Sequence, residues 1–75
     1  MTVTQIKDDL YRHLGEEVHL KYHLGRNRVE EYAVKIKELY NHIFLVELVN
    51  SSEIKSFSYT DVITKTIRIF YESDQ

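Results

Sequence analysis

The sequence lacks cysteine and proline entirely and contains only two glycines, Gly15 and Gly25. Without cysteine the chain has neither disulfide bonds nor thiolate metal ligands, so it suits a reducing compartment, and we expect it to be cytoplasmic. The scarcity of proline and glycine argues against long linkers and low-complexity tails. Long hydrophobic runs are also missing, because the longest uncharged apolar stretch, Ile43 to Val46, is far too short to span a bilayer. We therefore expect no membrane segment.

The length of 75 residues predicts a single domain over residues 1–75. A domain of this size buries only roughly 60% of the surface that its unfolded chain exposes, which argues against a deep substrate cavity. Ten basic residues against twelve acidic ones give a net charge of −2. Because the overall field then repels phosphate slightly, any binding of nucleic acid would have to come from a local basic patch.

The first fifteen residues have the pattern of an amphipathic helix. Thr2 and Gln5 match a capping box, in which each side chain satisfies a backbone N–H of the other residue. Apolar residues then recur at spacings of three and four, as expected for one buried stripe. This stripe consists of Val3, Ile6, Leu10 and Leu14. Gly15 is expected to end the helix, because glycine adopts a positive φ readily.

After Gly15 the hydrophobic period changes from 3.6 to 2, which is typical of half-buried strands. The strand patterns fall at Val18–Leu24, Val29–Leu39, Ile43–Val49, a segment from Ile54, and Ile67–Tyr71. The stretch from Gly25 to Arg28 supplies turn residues and predicts a hairpin. The third strand is nearly all apolar, which predicts a central strand that is covered on both faces.

One helix followed by five strands with short connections selects an antiparallel meander. A flat five-stranded sheet would leave one face and two edges bare, whereas twisting and partial closure cover both. We therefore predict a mainly β fold, with an N-terminal helix over residues 1–15 and a five-stranded antiparallel SH3-like or Sm-like small barrel over residues 16–71. Residues 72–75 form a tail in this interpretation, and the helix plugs an open end of the barrel.

The segment from Tyr59 to Ile63 is typical of the one-turn 3₁₀ element that separates the last two strands of such barrels. We predict a structural turn here, with Phe57 and Tyr59 facing the core and Asp61 capping a backbone amide. Asp61 is thus expected to act in capping and not in catalysis.

No residue pattern indicates catalysis or a bound cofactor. His19 and His23 would form a zinc half-site on a helix, but on a strand their Cα atoms lie about 13 Å apart. The serines at positions 51, 56 and 58 do not follow the strand-to-helix pattern of an activated nucleophile. We expect no enzymatic activity, no metal site and no cofactor.

Basic residues cluster around the predicted hairpin and form the candidate binding patch. They are Lys21, Arg26, Arg28, Lys35 and Lys37. Glu30, Glu31 and Glu38 dilute this charge, so a solvated and charge-balanced hairpin is one interpretation. The alternative is weak binding of RNA or single-stranded DNA, which barrels of this class achieve where basic patches carry exposed aromatic rings.

The residues from Phe57 to Ile67, FSYTDVITKTI, resemble the C-terminal signature of the Veg proteins. The helix from Thr2, the segment from Gly15 to Leu20 and the strand from Ile43 to Leu48 are similar to their counterparts in that family, in order and in spacing. Veg proteins are small cytoplasmic proteins of Gram-positive bacteria that stimulate biofilm formation and are thought to act on transcriptional control through a protein partner. No catalytic residue is assigned in that family.

The resemblance implies a non-enzymatic regulatory module that binds a protein partner, for which a transcription regulator is a candidate. The alternative function is the weak binding of RNA or single-stranded DNA. We also expect self-association into a homodimer, through a strand edge or the outer face of the helix, because a small barrel with an open edge presents unpaired backbone groups. The charges on the outward faces would equally keep a monomer in solution.

Overall fold

One helix precedes five strands, and a second, short helix separates the last two strands. The computed structural model describes residues 2–71, and the predicted tail at residues 72–75 lies outside them. The elements in chain order are α1 (Val3–Arg12), β1 (Glu17–Gly25), β2 (Arg28–Leu39), β3 (Ile43–Leu48), β4 (Ile54–Ser58), α2 (Tyr59–Ile63) and β5 (Ile67–Tyr71). The predicted turn between β4 and β5 is therefore α-helical and not a 3₁₀ element.

The strands form one antiparallel sheet in the order β4-β3-β2-β1-β5. The first four strands are a meander, and α2 carries the chain across so that β5 pairs with β1. This confirms the predicted mainly β fold with an N-terminal helix and five antiparallel strands. The sheet does not close, because β4 and β5 are its two edges. It curls strongly, since the rings of Tyr22 on β1 and Phe57 on β4 lie only 5.7 Å apart across two intervening strands.

Helix α1 begins with the predicted capping box. The Thr2 hydroxyl accepts the Gln5 N–H at 3.2 Å, and the Gln5 side chain accepts the Thr2 N–H at 2.9 Å. The helix ends at Arg12, earlier than predicted, with His13 as its C-cap. Gly15 does adopt a positive φ of 84°, and its N–H donates to a carbonyl of β2 at 2.8 Å. Gly15 therefore joins the helix to the sheet and does not terminate the helix directly.

Only the middle of the predicted apolar stripe is buried. Ile6 and Leu10 are fully buried, whereas Val3 and Leu14 are exposed at the two ends. Leu14 lies beyond the last helical residue, so it does not share the helical geometry that would have directed its side chain inward. Helix α1 packs through its buried residues against α2 and β2.

The strand residues of the core follow the period-2 pattern on the inner face of the sheet, and the two helices contribute the rest. The members of the core are Ile6, Leu10, Val18, Leu20, Val34, Ile36, Phe44, Val46, Phe57, Tyr59 and Ile67. Leu24 has the same alternation phase as Val18 and Leu20, yet it is exposed beside the hairpin turn, where a register shift interrupts the pairing of β1 with β2. The prediction that β3 is covered on both faces is wrong, because Ile43 is exposed and Leu45 only half-buried. Only the inner face of the single sheet is covered, so β3 alternates between buried and exposed residues like the other strands.

Candidate functional site

The five basic residues of the candidate binding patch lie at three separate places along the β1–β2 hairpin. Arg26 lies in the turn and Arg28 begins β2, opposite Gly25, so the structure brings these two residues together. Lys35 and Lys37 lie toward the other end of β2. Lys21 lies on the outer face of β1 between these regions, opposite Glu31. The hairpin therefore does not present one continuous basic surface.

Carboxylates balance the charge at the far end of β2. Lys35 lies between Glu17 on β1 and Glu47 on β3 in the strand register. The Nζ atom of Lys37 lies 3.2 Å from the Glu47 carboxylate, a contact that is partly shielded from solvent. These pairs reduce the positive potential that Lys35 and Lys37 could offer to a phosphate.

A different cluster of cations and an aromatic ring lies on the outer face of β1 and β5. We call Lys21, Arg68 and Phe70 the outer β5 patch. Lys21 lies directly opposite Arg68 in the β1–β5 pairing, and its Nζ atom is 5.5 Å from the centre of the Phe70 ring. Phe70 is 47% exposed, although it is a large apolar side chain. Two cations beside an exposed ring suit this part of the sheet to stacking or cation–π contacts.

Sequence reasoning missed Arg68 and Phe70, although the signal was present. The alternation that turns Ile67, Ile69 and Tyr71 inward also turns the two residues between them outward. The missing information was that β5 pairs with β1, since this pairing brings together residues far apart in the chain.

An apolar groove runs along the free edge of β5. Its volume is about 320 Å³, and α1, α2 and β5 form its walls. The apolar side chains that line it include Ile6, Val62, Ile63, Ile69 and Phe70. We call it the edge groove. Asp9, Lys65 and Arg68 lie at the same groove and give it charges of both signs.

Tyr59, one of the two residues predicted to form a structural turn, is the first residue of α2 and lies between β4 and β5. Its side chain is buried, its ring stacks on Phe44 with centres 5.5 Å apart, and its hydroxyl donates to the Tyr40 carbonyl at 2.6 Å. Burial raises the pKa of Tyr59 above its ordinary value. The prediction that Asp61 caps the turn is wrong, because the Ser58 hydroxyl accepts the Thr60 N–H at 3.0 Å as the N-cap.

Asp61 instead lies in the first turn of α2. A carboxylate there interacts favourably with the positive end of the helix dipole, without the hydrogen bond that defines a cap. Ser58 precedes the helix and can turn its hydroxyl back toward the free amides, which explains why it takes the capping role.

The described part of the chain has no buried charged residue and no cluster of metal-binding side chains. Between Thr2 and Tyr71, no three His, Asp or Glu side chains lie close enough together to hold a metal ion. Over the same residues, neither helix has the length and apolar character needed to cross a bilayer. The chemically notable surfaces are therefore the outer β5 patch and the edge groove.

A comparison with known proteins agrees with the resemblance seen in the sequence. No curated protein matches the chain. A family model described as "Biofilm formation stimulator VEG" matches residues 1–70, which include both helices and nearly all of the sheet. The match spans far more than the segment from Phe57 to Ile67 that carries the most specific resemblance. The chain belongs to the Veg family of biofilm formation stimulators.

Proposed function

We propose that this protein is a non-enzymatic cytoplasmic regulator that stimulates biofilm formation by influencing transcriptional control through a protein partner. The observation that carries the proposal is the family match over residues 1–70. The absence of cysteine is compatible with the reducing conditions of the cytoplasm. A transcription regulator is the candidate partner.

The surface of the domain supports a binding role. Phe70 and Ile63 are large apolar side chains that remain exposed on a very small domain, and both line the edge groove. Contiguous apolar surface of this kind is typical of contacts with other proteins. The edge groove adds a concave apolar surface with charged residues at its border, which is the composition found at protein interfaces.

Deletion of the gene in the source organism is expected to reduce biofilm mass and to change the transcripts of biofilm genes. Re-expression of the wild-type chain should restore both, and a tagged chain with a cross-linker should capture a transcription regulator. Tyr59→Phe, which keeps the buried ring, should also restore biofilm, whereas Tyr59→Ala should not, because it removes the ring from the core. Unchanged biofilm and transcripts after deletion would contradict the proposal.

The outer β5 patch favours a second candidate function, the weak binding of RNA or single-stranded DNA. Phe70 offers a face on which a base could stack, and Lys21 and Arg68 lie beside it. Arg26 and Arg28 at the hairpin turn would add contacts to phosphates. The net charge of −2 opposes such binding at long range.

The salt dependence of oligonucleotide binding tests this second function. For a fluorescent single-stranded oligonucleotide, replacing both Arg26 and Arg28 by Gln should reduce the slope of log K against log salt by about 1.4, since each phosphate contact contributes about 0.7. Lys37→Gln is the matched control and should leave the slope unchanged, because Glu47 already pairs with Lys37. No binding by the wild type at low salt would eliminate this function, and tight binding near physiological salt would favour it over the first.

A further inference from the structure

We propose that the edge groove binds an acidic amphipathic helix of a partner protein. The apolar side chains of that helix fill the groove, and its carboxylates pair with Lys65 and Arg68 at the border. The inference rests on the proposed function, because it states which surface contacts the protein partner and what chemistry the partner presents there.

The floor of the edge groove is part of the hydrophobic core. Ile6 and Ile67 line the groove and are both buried members of the core. Val62 and Ile69 also line it and pack against the core from their partly buried positions. Close packing holds such a floor in place. Apolar side chains that enter the groove therefore leave water and extend an existing apolar surface.

The size of the groove suits a few inserted side chains. Its volume of about 320 Å³ lies at the lower end of the range for pockets that hold small molecules, roughly 300–1,000 Å³. Ile63, the last residue of α2, and Phe70 on β5 remain exposed at its border. A partner that lies over the groove would cover these two residues while its own apolar side chains project inward.

The charge available at the groove border is positive. The Asp9 carboxylate lies 4.0 Å from the guanidinium of Arg12, so a neighbour on α1 already balances it. Lys65 and Arg68 are exposed, and neither forms an ion pair with a carboxylate of residues 2–71. A partner carboxylate can therefore approach them without displacing an existing ion pair. The groove border is thus complementary to an acidic segment, although the whole chain has a net charge of −2.

Lys65 occupies a backbone position that glycine usually takes. It directly follows Thr64, the C-cap of α2, and its φ is 65°. Few residues other than glycine adopt this left-handed conformation, and glycine is the common residue just after a helix. A lysine here adds backbone strain and contributes nothing to the turn that glycine would not. Its charge at the groove border gives this side chain a role in binding.

A helix is the form of partner that this groove favours. The backbone of a helix satisfies its own hydrogen bonds, so binding requires none from β5. Side chains at positions i, i+3, i+4 and i+7 lie on one face and can enter an apolar groove together. Acidic residues that flank this face then lie beside the groove border, where Lys65 and Arg68 are located.

Fluorescence anisotropy with the full chain and two labelled synthetic peptides tests the proposal. Each peptide has about 18 residues, which allows some helix in isolation. Both carry leucines on one face, flanked in one peptide by glutamates and in the other by lysines. The glutamate peptide should bind at least about tenfold more tightly. Non-specific attraction to a chain of net charge −2 predicts the opposite order, so the order of affinities reports the local charge of the groove.

A third peptide tests the helical form of the partner. It is the glutamate peptide with a proline at its centre, which keeps the leucines and glutamates but breaks the helix. It should bind about tenfold more weakly than the parent peptide. Equal binding of the two would contradict a helical partner.

Variants of the chain test the apolar and the charged part of the groove separately. Ile63→Ser should raise the dissociation constant of the glutamate peptide about tenfold, because an apolar contact is lost. Ile54→Ser is the matched control, at an exposed isoleucine on β4, and should leave the constant unchanged. Replacing both Lys65 and Arg68 by Glu should reverse the preference toward the lysine peptide. Circular dichroism establishes that each variant is folded.

Lys65→Gly distinguishes a binding role from a structural one. It should weaken the glutamate peptide about two- to fivefold, as for the loss of one exposed ion pair. It should not lower the urea midpoint, because glycine suits the positive φ of this position. A lower midpoint with unchanged peptide affinity would assign Lys65 to the fold and remove it from the site.

The proposal would be overturned if the glutamate peptide did not bind up to about 1 mM, or if the two peptides bound equally. It would also fail if Lys65 and Arg68 were needed only for an oligonucleotide, since these cations would then serve nucleic acid. Biofilm assays separate this inference from the proposed function. If deletion of the gene reduces biofilm and Ile63→Ser restores it as fully as the wild type, the groove is not the partner site and the proposed function stands.

Discussion

Replacing Tyr59 by alanine is expected to lower the free energy of unfolding by about 3–5 kcal/mol, as for other large aromatic side chains removed from a core. Tyr59 is 1% exposed and is the largest fully buried side chain of the described residues. Its ring stacks on Phe44, and its removal would leave a cavity where α2 meets the sheet. Small domains have only about 5–15 kcal/mol of stability, so the loss is a large share of the total. Urea denaturation followed by circular dichroism measures it.

The Tyr59→Phe variant distinguishes the stability contributed by the ring from that contributed by the hydroxyl. This variant keeps the stacked ring but leaves the Tyr40 carbonyl without the hydrogen bond that Tyr59 donates at 2.6 Å. We expect a cost of about 0.5–1.5 kcal/mol, the usual net value of a hydrogen bond. If alanine and phenylalanine at this position destabilise equally, the packing explanation fails.

The free energy of unfolding at alkaline pH gives a second comparison, between the wild type and Tyr59→Phe. Burial raises the pKa of Tyr59 in the folded state, so folding favours its protonated form. This contribution is fully present below the unfolded pKa of about 10 and is lost as the pH rises through the higher folded pKa. The wild type should therefore lose more stability than Tyr59→Phe on going to high pH.

Local sequence signals determined much of this fold. The capping box at Thr2 and Gln5 begins α1 as predicted, because its hydrogen bonds join residues three apart. The alternation of β2 agrees with the burial of Val34 and Ile36, which face the core. The burial of Tyr59 was also predictable from its spacing of two residues from Phe57, although Tyr59 is the first residue of α2 and not part of β4.

Features that depend on pairing between distant strands were not predictable in the same way. The apolar run of β3 suggested cover on both faces, but the sheet has one covered face, and Ile43 stays exposed. The outer β5 patch exists because β5 pairs with β1, and the sequence does not specify that neighbour. The sequence suggested a basic patch on the hairpin, but the cross-strand register places carboxylates among its lysines.

The C-terminal end of α1 was also not predictable from the sequence pattern alone. Period alone placed Leu14 with Ile6 and Leu10 on one stripe, but the helix stops before Leu14. A helix of ten residues is only marginally stable in isolation. Its position must therefore depend on the few side chains of α1 that reach the core.

Leu10→Ala is expected to lower the free energy of unfolding by about 2–5 kcal/mol, because Leu10 is 0% exposed and its removal leaves a cavity under α1. Leu14→Ala is the matched control, with the same change of side chain at a residue that is 43% exposed. Its cost should stay within about 1 kcal/mol, since little apolar surface is lost from the interior. Urea melts of both variants give the two values, and helical circular dichroism reports whether α1 remains docked. Equal costs at the two positions would mean that α1 extends further and packs through the whole stripe, as the period of the sequence alone suggests.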